Sequence, residues 1–391
     1  MKESRKTPST RLGRYVETAV AGERVRAFVP PPLPPVPAIR METLLRRLSA
    51  ADRALGRLDS VNVLLPEKAL FLYMYVRKEA VLSSQIEGTQ STLSDLLRFE
   101  TDATAGQPID DVREVSSYVD AMMYGLERME RLPLSLRLIR EMHARLLRSG
   151  RGERQQPGAF RTSQNWVGGT RPGNALYVPP PVDALMPCLD AFERFIHAET
   201  PGIPPLIKAS LLHVQFESIH PFLDGNGRLG RLLVTLFLCT TKVMRQPLLY
   251  LSLYLRRNRA TYYRLLQEVR EHGAWEAWLE FFLDGVAETA DQAFDTATRI
   301  TALFAADRDR LGAAPQSRTT LRLHELLQTS PYLTAPQAKE RLGLTMPTVN
   351  HALALLQRLG IVEEITGRKR GRVYCYRAYM EILGEDGERR N

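Results

Sequence analysis

The densest chemistry in the chain lies in one short run, His220-Pro221-Phe222-Leu223-Asp224-Gly225-Asn226-Gly227-Arg228-Leu229-Gly230-Arg231. Imidazole titrates near neutral pH, which makes His220 the candidate general base. The Gly225-Asn226-Gly227 turn lets backbone amides converge without Cβ clashes, and amides converging at a helix start hold phosphate. Arg228 and Arg231 are three apart, share a helical face and reach one anion. Asp224 is a hard oxygen ligand, placed to hold Mg²⁺ on a polyphosphate. Each residue alone has an ordinary explanation as a turn, a surface charge or a packed ring. Their conjunction over so few positions points to phosphate chemistry.

The string fits H-x-F-x-(D/E)-G-N-G-R-x-x-R without departure, and so resembles the signature of Fic-domain proteins. The resemblance implies an all-helical core that transfers AMP from ATP to a protein hydroxyl and releases pyrophosphate. In that scheme His220 deprotonates a Ser, Thr or Tyr hydroxyl, on another protein or on the chain itself. Asp224 carries Mg²⁺, and Gly225, Asn226 and Gly227 form the anion nest. Arg228 contacts the phosphates and Arg231 the γ-phosphate, with Leu229 and Gly230 inside the same ATP-binding run. Phe222 is a core anchor. Doc-like relatives, which transfer phosphate, depart at the glycine turn; both glycines are kept here, which favours AMP transfer.

Three further stretches extend the likeness. Pro157-Gly158-Ala159-Phe160-Arg161, Gln164 to Gly169 and Tyr177-Val178-Pro179-Pro180 resemble the Fic flap. That flap is a β-hairpin that lines up a target strand, here through Trp166, Val167, Gly168 and Gly169. Ser83-Ser84-Gln85-Ile86-Glu87-Gly88 resembles the inhibitory motif (S/T)-x-x-x-E-(G/N). Ser83 and Glu87 are four apart on one helical face, and the resemblance pairs Glu87 with Arg231, denying that arginine to the γ-phosphate. Tyr262 and Tyr263 resemble residues after the signature; one or both line an adenine or ribose pocket, or pack between helices.

These residues need elements to hold them. Met41, Leu44, Leu45 and Leu48 recur with helical spacing, and 68–86 reads as a largely buried helix (Leu70, Leu72, Tyr73, Tyr75, Val76) stopping at Gly88. Another helix is expected over 89–99, and two more over 110–150 with a break at Pro133 and Ser135 as a cap. The Gly- and Pro-rich stretch 151–182 predicts a long loop or hairpin, and PPPLPPVP at 30–37 a stiff extended segment. Helical pattern returns over 183–299, interrupted at 218–228. After a linker near 312–316, three short helices and two strand-like runs at 361–366 and 372–377 follow the order of a winged helix-turn-helix, with Pro347 to Leu359 as recognition helix. The expectation is an all-α fold: an N-terminal region with the inhibitory helix (1–109), a Fic core with its flap (110–311) and a winged helix (316–391).

The remaining composition sets bounds. The 391 residues carry a net charge of +9, compatible with a polyanionic partner. Residues 316–391 hold 12 basic and 8 acidic side chains, with Arg368, Lys369, Arg370 and Arg372 at the expected wing. That favours DNA mildly, since winged helices also bind proteins. Three scattered cysteines make no disulfide framework, and no apolar run has membrane-span length, so a cytoplasmic chain with no membrane partner is expected. The family often forms homodimers. Two other readings stay open: a transcription regulator that only senses nucleotide, and a de-AMPylase using Glu87 to orient water.

Overall fold

The structure, a computed structural model, describes residues 11–64, 68–101, 109–150, 152–312 and 317–388. Local signals set many of its boundaries. A two-residue turn, Ala21-Gly22, has φ of 48° and 83° and joins β1 (Arg14–Val20) to β2 (Glu23–Val29) as an antiparallel hairpin. Two positive φ values in a two-residue loop match the right-handed twist of paired strands. This hairpin is absent from the expected architecture, although its alternating RYVETAV and ERVRAFV could have announced it.

Then come α1 (Met41–Leu64), α2 (Lys68–Ile86), α3 (Leu93–Glu100), α4 (Ile109–Arg128), α5 (Leu136–Leu146), α6 (Val182–His197), α7 (Pro205–Ile219), α8 (Asn226–Thr240), α9 (Ser252–Arg257), α10 (Arg259–His272) and α11 (Trp275–Gly312). On α1 the buried stripe is Leu44, Leu48, Ala51, Leu55 and Leu58, so Leu45 faces solvent instead of the core. That stripe packs along α11, and Arg47 pairs with Asp284 at 3.0 Å at its rim. Helix α3 starts later than expected because Thr92 caps it, its hydroxyl accepting from the Asp95 amide while the Asp95 carboxylate accepts from the Thr92 amide. Ser135 caps α5 as expected. Helix α11 runs on past 299 to Gly312. The side chains of Leu70 and Leu72, and the linker over 313–316, lie outside the described residues.

Residues 152–181 are irregular, with a short 3₁₀ turn at Pro172–Asn174 and one bridge, Val167 with Tyr177, in place of a full hairpin ladder. The stretch is backed by β2. The Phe28 amide donates to the Val178 carbonyl at 2.8 Å, and Arg171 pairs with Glu23 at 2.6 Å.

The C-terminal part comprises α12 (Ser317–Thr329), β3 (Tyr332–Thr334), α13 (Ala335–Leu342), α14 (Met346–Arg358), β4 (Glu363–Glu364), β5 (Val373–Cys375) and α15 (Arg377–Glu388). Its sheet is antiparallel in the order β3-β5-β4. Strand β3 and helix α15 are additions to the sequence expectation. A buried polar chain ties this part to α11: Tyr376 donates to Asp307 at 2.5 Å, His324 lies 3.2 Å from the Tyr376 hydroxyl, and Gln328 lies 3.3 Å from His324. It also touches α2, where the buried Lys78 donates to the Leu383 carbonyl at 2.9 Å.

Among the described residues, no helix is long and apolar enough to cross a membrane.

Candidate active site

Helix α7 is buried along nearly its whole length and ends on His220. There the backbone turns left-handed (φ 49°, ψ 60°), sparsely populated for a residue with a side chain. Three contacts hold it. The His220 amide donates to Phe216 O at 2.9 Å, the buried Arg161 guanidinium donates from Nε to His220 O at 3.0 Å, and the Arg161 amide donates to Pro221 O at 2.9 Å. The loop then closes on Asn226, whose Oδ1 accepts from the Phe222 amide at 2.9 Å and whose Nδ2 donates to Phe222 O at 2.8 Å. Gly225 caps α8 with φ 79°, a conformation that suits glycine. The first amides of α8 have no carbonyl within the helix to receive them and face the loop.

The electrostatics match this geometry. Burial first, then Arg270 and Arg161, push the His220 imidazole down to about 4, against the opposing pull of Glu87. The ring is therefore neutral at physiological pH, and its Nδ1 makes no hydrogen bond. Arg228 is buried; Nη1 lies 3.5 Å from Glu114 and Nη2 3.6 Å from Asp224, ion pairs too long for close hydrogen bonds, and Nε has no hydrogen-bond partner. Arg231 likewise keeps Nη1 unpartnered. Buried donors left without acceptors are costly, at roughly 1–3 kcal/mol each. Here they cluster where helix α8 begins, and a phosphate would satisfy them.

Ser83 and Glu87 both engage Arg231. Nε donates to Ser83 Oγ at 2.8 Å, and Nη2 donates to Ser83 O at 2.9 Å and to Glu87 Oε1 at 2.7 Å. Burial alone would raise the Glu87 carboxyl, but Arg231, with Arg228 and His220, outweighs it and holds the group below its ordinary value. Glu87 sits one residue beyond the end of α2, and Gly88 turns the chain away with φ 99°. At Gly227 an added Cβ would lie 2.2 Å from Glu87 Oε1, so a side chain there would force the carboxylate out of this position.

The remaining expected residues divide. Trp166, Gly168 and Gly169 are exposed on the flap, and Val167 carries its single bridge. Tyr177, at the other end, donates to Ser218 O close to His220, with Arg270 3.8 Å over its ring. Leu229 is buried in the core, and Gly230 is pressed on α7, where an added Cβ would meet Glu217 Oε1 at 2.8 Å; neither turns toward the anion loop. Tyr262 is buried, with its hydroxyl 2.9 Å from His213 Nε2 and its ring 6.0 Å from Trp278, so it packs between helices. Tyr263 keeps an exposed face beside Arg259. Asp224 accepts from the Gly225 amide at 2.6 Å and is partly exposed. Among the described residues, no three His, Cys, Asp or Glu side chains cluster as a metal site. A cation at Asp224 would take most of its ligands from phosphate and water, the habit of Mg²⁺.

Sequence reasoning passed over three polar residues. His143 stacks on Phe222; Arg161, part of the flap resemblance, holds the His220 carbonyl; and Glu217 is a buried acid that burial pushes up to about 7, with Arg231 pulling the other way. Glu217 and His143 stand outside the signature, and only tertiary contact reveals them.

Comparison with known proteins fits this arrangement. Residues 45–127 match the family model described as Fic/DOC family N-terminal, and residues 133–238 match that described as Fic/DOC family. The second of these matched stretches contains the whole run from His220 to Arg231. A "Protein adenylyltransferase Fic" of Drosophila grimshawi is 31% identical over 258 residues, which is 63% of this chain and 48% of that protein. The Drosophila willistoni protein of the same name is 30% identical over 259 residues, 64% of this chain and 47% of its own. The chain thus spans about half the length of these relatives. A Fic family protein from Desulfovibrio desulfuricans G20 superposes with a TM-score of 0.57 at 21% identity, covering 87% of this chain and 97% of the other. Fic-1 of C. elegans superposes at 0.50 with 22% identity, covering 67% and 74%. The mostly helical Fic fold is therefore shared, and β1–β2 lies upstream of both family matches.

Proposed function

We propose that this chain is a protein adenylyltransferase held in check by its own Glu87. The observation that carries the reading is the state of Arg231: Glu87 and Ser83 occupy it, while other buried guanidinium N–H groups of Arg228 and Arg231 still lack acceptors beside a neutral His220. With ATP bound, those groups and the first amides of α8 would neutralise the phosphates, and Asp224 would hold Mg²⁺ among them. When bound, the metal supplies charge neutralisation across the polyphosphate. A target segment lies along the flap by strand addition and presents a Ser, Thr or Tyr hydroxyl. His220 takes the hydroxyl proton, the oxygen bonds to the α-phosphorus, and the bond from that phosphorus to the β-phosphate oxygen breaks, so pyrophosphate leaves. Arg231 aligns the γ-phosphate only after Glu87 lets go. The named relatives support the same chemistry.

The test is intact-mass spectrometry of wild type, Glu87→Gly and His220→Ala after incubation with ATP and Mg²⁺. An AMP adduct that is larger in Glu87→Gly and missing in His220→Ala supports the reading. An adduct that persists in His220→Ala removes the assigned base.

A second activity attaches to residues 316–391, read as a winged helix. Asn350 and His351 are exposed on α14, and Arg368, Lys369, Arg370 and Arg372 are exposed in the turn between β4 and β5. Such a helix and basic turn suit a DNA groove and its phosphates.

A further inference from the structure

His143 on α5 is fully buried and lies outside the signature. Both of its ring nitrogens are used. The Gly158 amide donates to Nδ1 at 2.8 Å, which fixes the ring proton on Nε2. Nε2 then donates to the Asp224 carbonyl at 3.0 Å. The ring lies flat on Phe222, with centroids 3.7 Å apart and planes 13° apart.

The two partners belong to the two arms of the site. Asp224 immediately precedes Gly225, the left-handed cap from which the α8 amides emerge. Gly158, with φ 78°, opens the flap segment, and Phe160 two residues on also packs against Phe222, at 5.2 Å between centroids. An added Cβ at Gly158 would lie 3.0 Å from the Ala144 Cβ and 3.2 Å from Arg140 O, so this root of the flap is pressed directly on α5. One imidazole therefore bridges the root of the flap and the anion loop. It needs a flat face, an acceptor on one edge and a donor on the other. Asparagine and glutamine can each reproduce only one edge.

We propose that His143 is a positioning residue for adenylyl transfer. By holding the Asp224 carbonyl it sets the peptide plane between Asp224 and Gly225, and with it the aim of the α8 amides and of the Asp224 carboxylate. By accepting from Gly158 it registers the flap, and hence the incoming hydroxyl, against that nest. This rests on the adenylyltransferase reading above.

The experiment uses the full chain in the Glu87→Gly background, with His143→Asn and His143→Gln compared side by side. Asparagine keeps an acceptor near the Nδ1 position and drops the donor to Asp224. Glutamine extends an N–H toward Asp224 and drops the acceptor for Gly158. Three quantities are read: calorimetric affinity for Mg²⁺-ATP, the rate of AMP adduct formation at saturating ATP, and hydrogen exchange over 157–161 and 222–228. His143→Asn should weaken Mg²⁺-ATP binding roughly 10–100-fold, as loss of an outer support around bound ions does, and should speed exchange over 222–228. His143→Gln should keep affinity within about threefold while the rate at saturating ATP falls roughly tenfold or more and exchange over 157–161 rises. The proposal is overturned if both variants keep the affinity and rate of the parent, or if both lose affinity and rate together with no difference between the two exchange windows. A Glu87→Gly parent that binds no ATP would instead defeat the adenylyltransferase reading, and exchange over 222–228 would still report whether His143 orders the loop.

Discussion

The Fic site and the C-terminal part treat buried polar groups in opposite ways. Around α8, His220 Nδ1, Arg228 Nε and Arg231 Nη1 are buried without hydrogen-bond partners, and Arg228 Nη1 has only the 3.5 Å ion pair with Glu114. Among the described residues of 317–388 no buried side-chain polar atom is left so. There, Asp307, Tyr376, His324 and Gln328 close into a chain, and the unspent charge sits outside, on the turn between β4 and β5. Folding tolerates unsatisfied buried donors only where something else compensates for them. The contrast teaches that the first region keeps buried donors that an anion could engage, whereas the second uses its buried polar groups on one another and carries its basic cluster on the surface.

The most direct way to break this comparison is His220→Ala. Loss of a general base should slow adduct formation by roughly 10²–10⁴-fold without changing ATP affinity. Glu87→Gly should act in the other direction. Releasing Arg231 should raise adduct formation roughly 5–150-fold, the span of a 1–3 kcal/mol coupling, and an unchanged rate would mean that the pair seen here does not restrain the site. The pH profile of that variant sharpens the point. A base whose pKa is depressed works above that pKa and fails as pH falls through it. With burial, Arg270 and Arg161 holding His220 down at about 4 in the unliganded chain, the acid limb of kcat/KM, which reports the free enzyme, should lie well below the ordinary histidine value, and a limb at that ordinary value would contradict the burial argument.

Effects on the other region should be smaller and of a different kind. Arg368→Ala with Arg370→Ala should leave adduct formation alone. If both contact DNA phosphates, the slope of log affinity against log salt should flatten by about 0.9 for each. Tyr376→Phe should cost stability only, about 1–2 kcal/mol by thermal unfolding, because Asp307 loses one buried donor and keeps Arg310 at 2.8 Å.

Much of this was legible in the chain itself. The signature run is contiguous, so its types and spacing sit together in the sequence, whereas the Glu87 pairing came only from a resemblance, since a glutamate near a helix end reads by itself as a solvated charge. Helical stripes placed α1, α2, α7 and α8. The misses share a cause. The alternation of β1–β2 signalled strands, but its docking on the flap, with Phe28 beside Val178, is a long-range contact that no local pattern carries. Tyr262 and Tyr263 are adjacent in sequence, but only packing decides that the first is walled in by His213 and Trp278 while the second keeps an open face. His143 and Glu217 carry no local signal, because their meaning lies in what touches them.

If Glu87 restrains the site as proposed, Gly227 limits how that restraint is lost. The space that a methyl group would fill is the space the Glu87 carboxylate occupies, 2.2 Å from where that carbon would stand, at the mouth of the amide nest. The space that would let a phosphate approach the backbone is the same space that admits the Glu87 carboxylate. A larger residue at 227 would displace the Glu87 carboxylate and crowd an incoming phosphate in one stroke. Escape from restraint is therefore open on the α2 side of the contact and closed on the α8 side, and variants that have shed the brake should carry their changes at Ser83, Glu87 or Gly88.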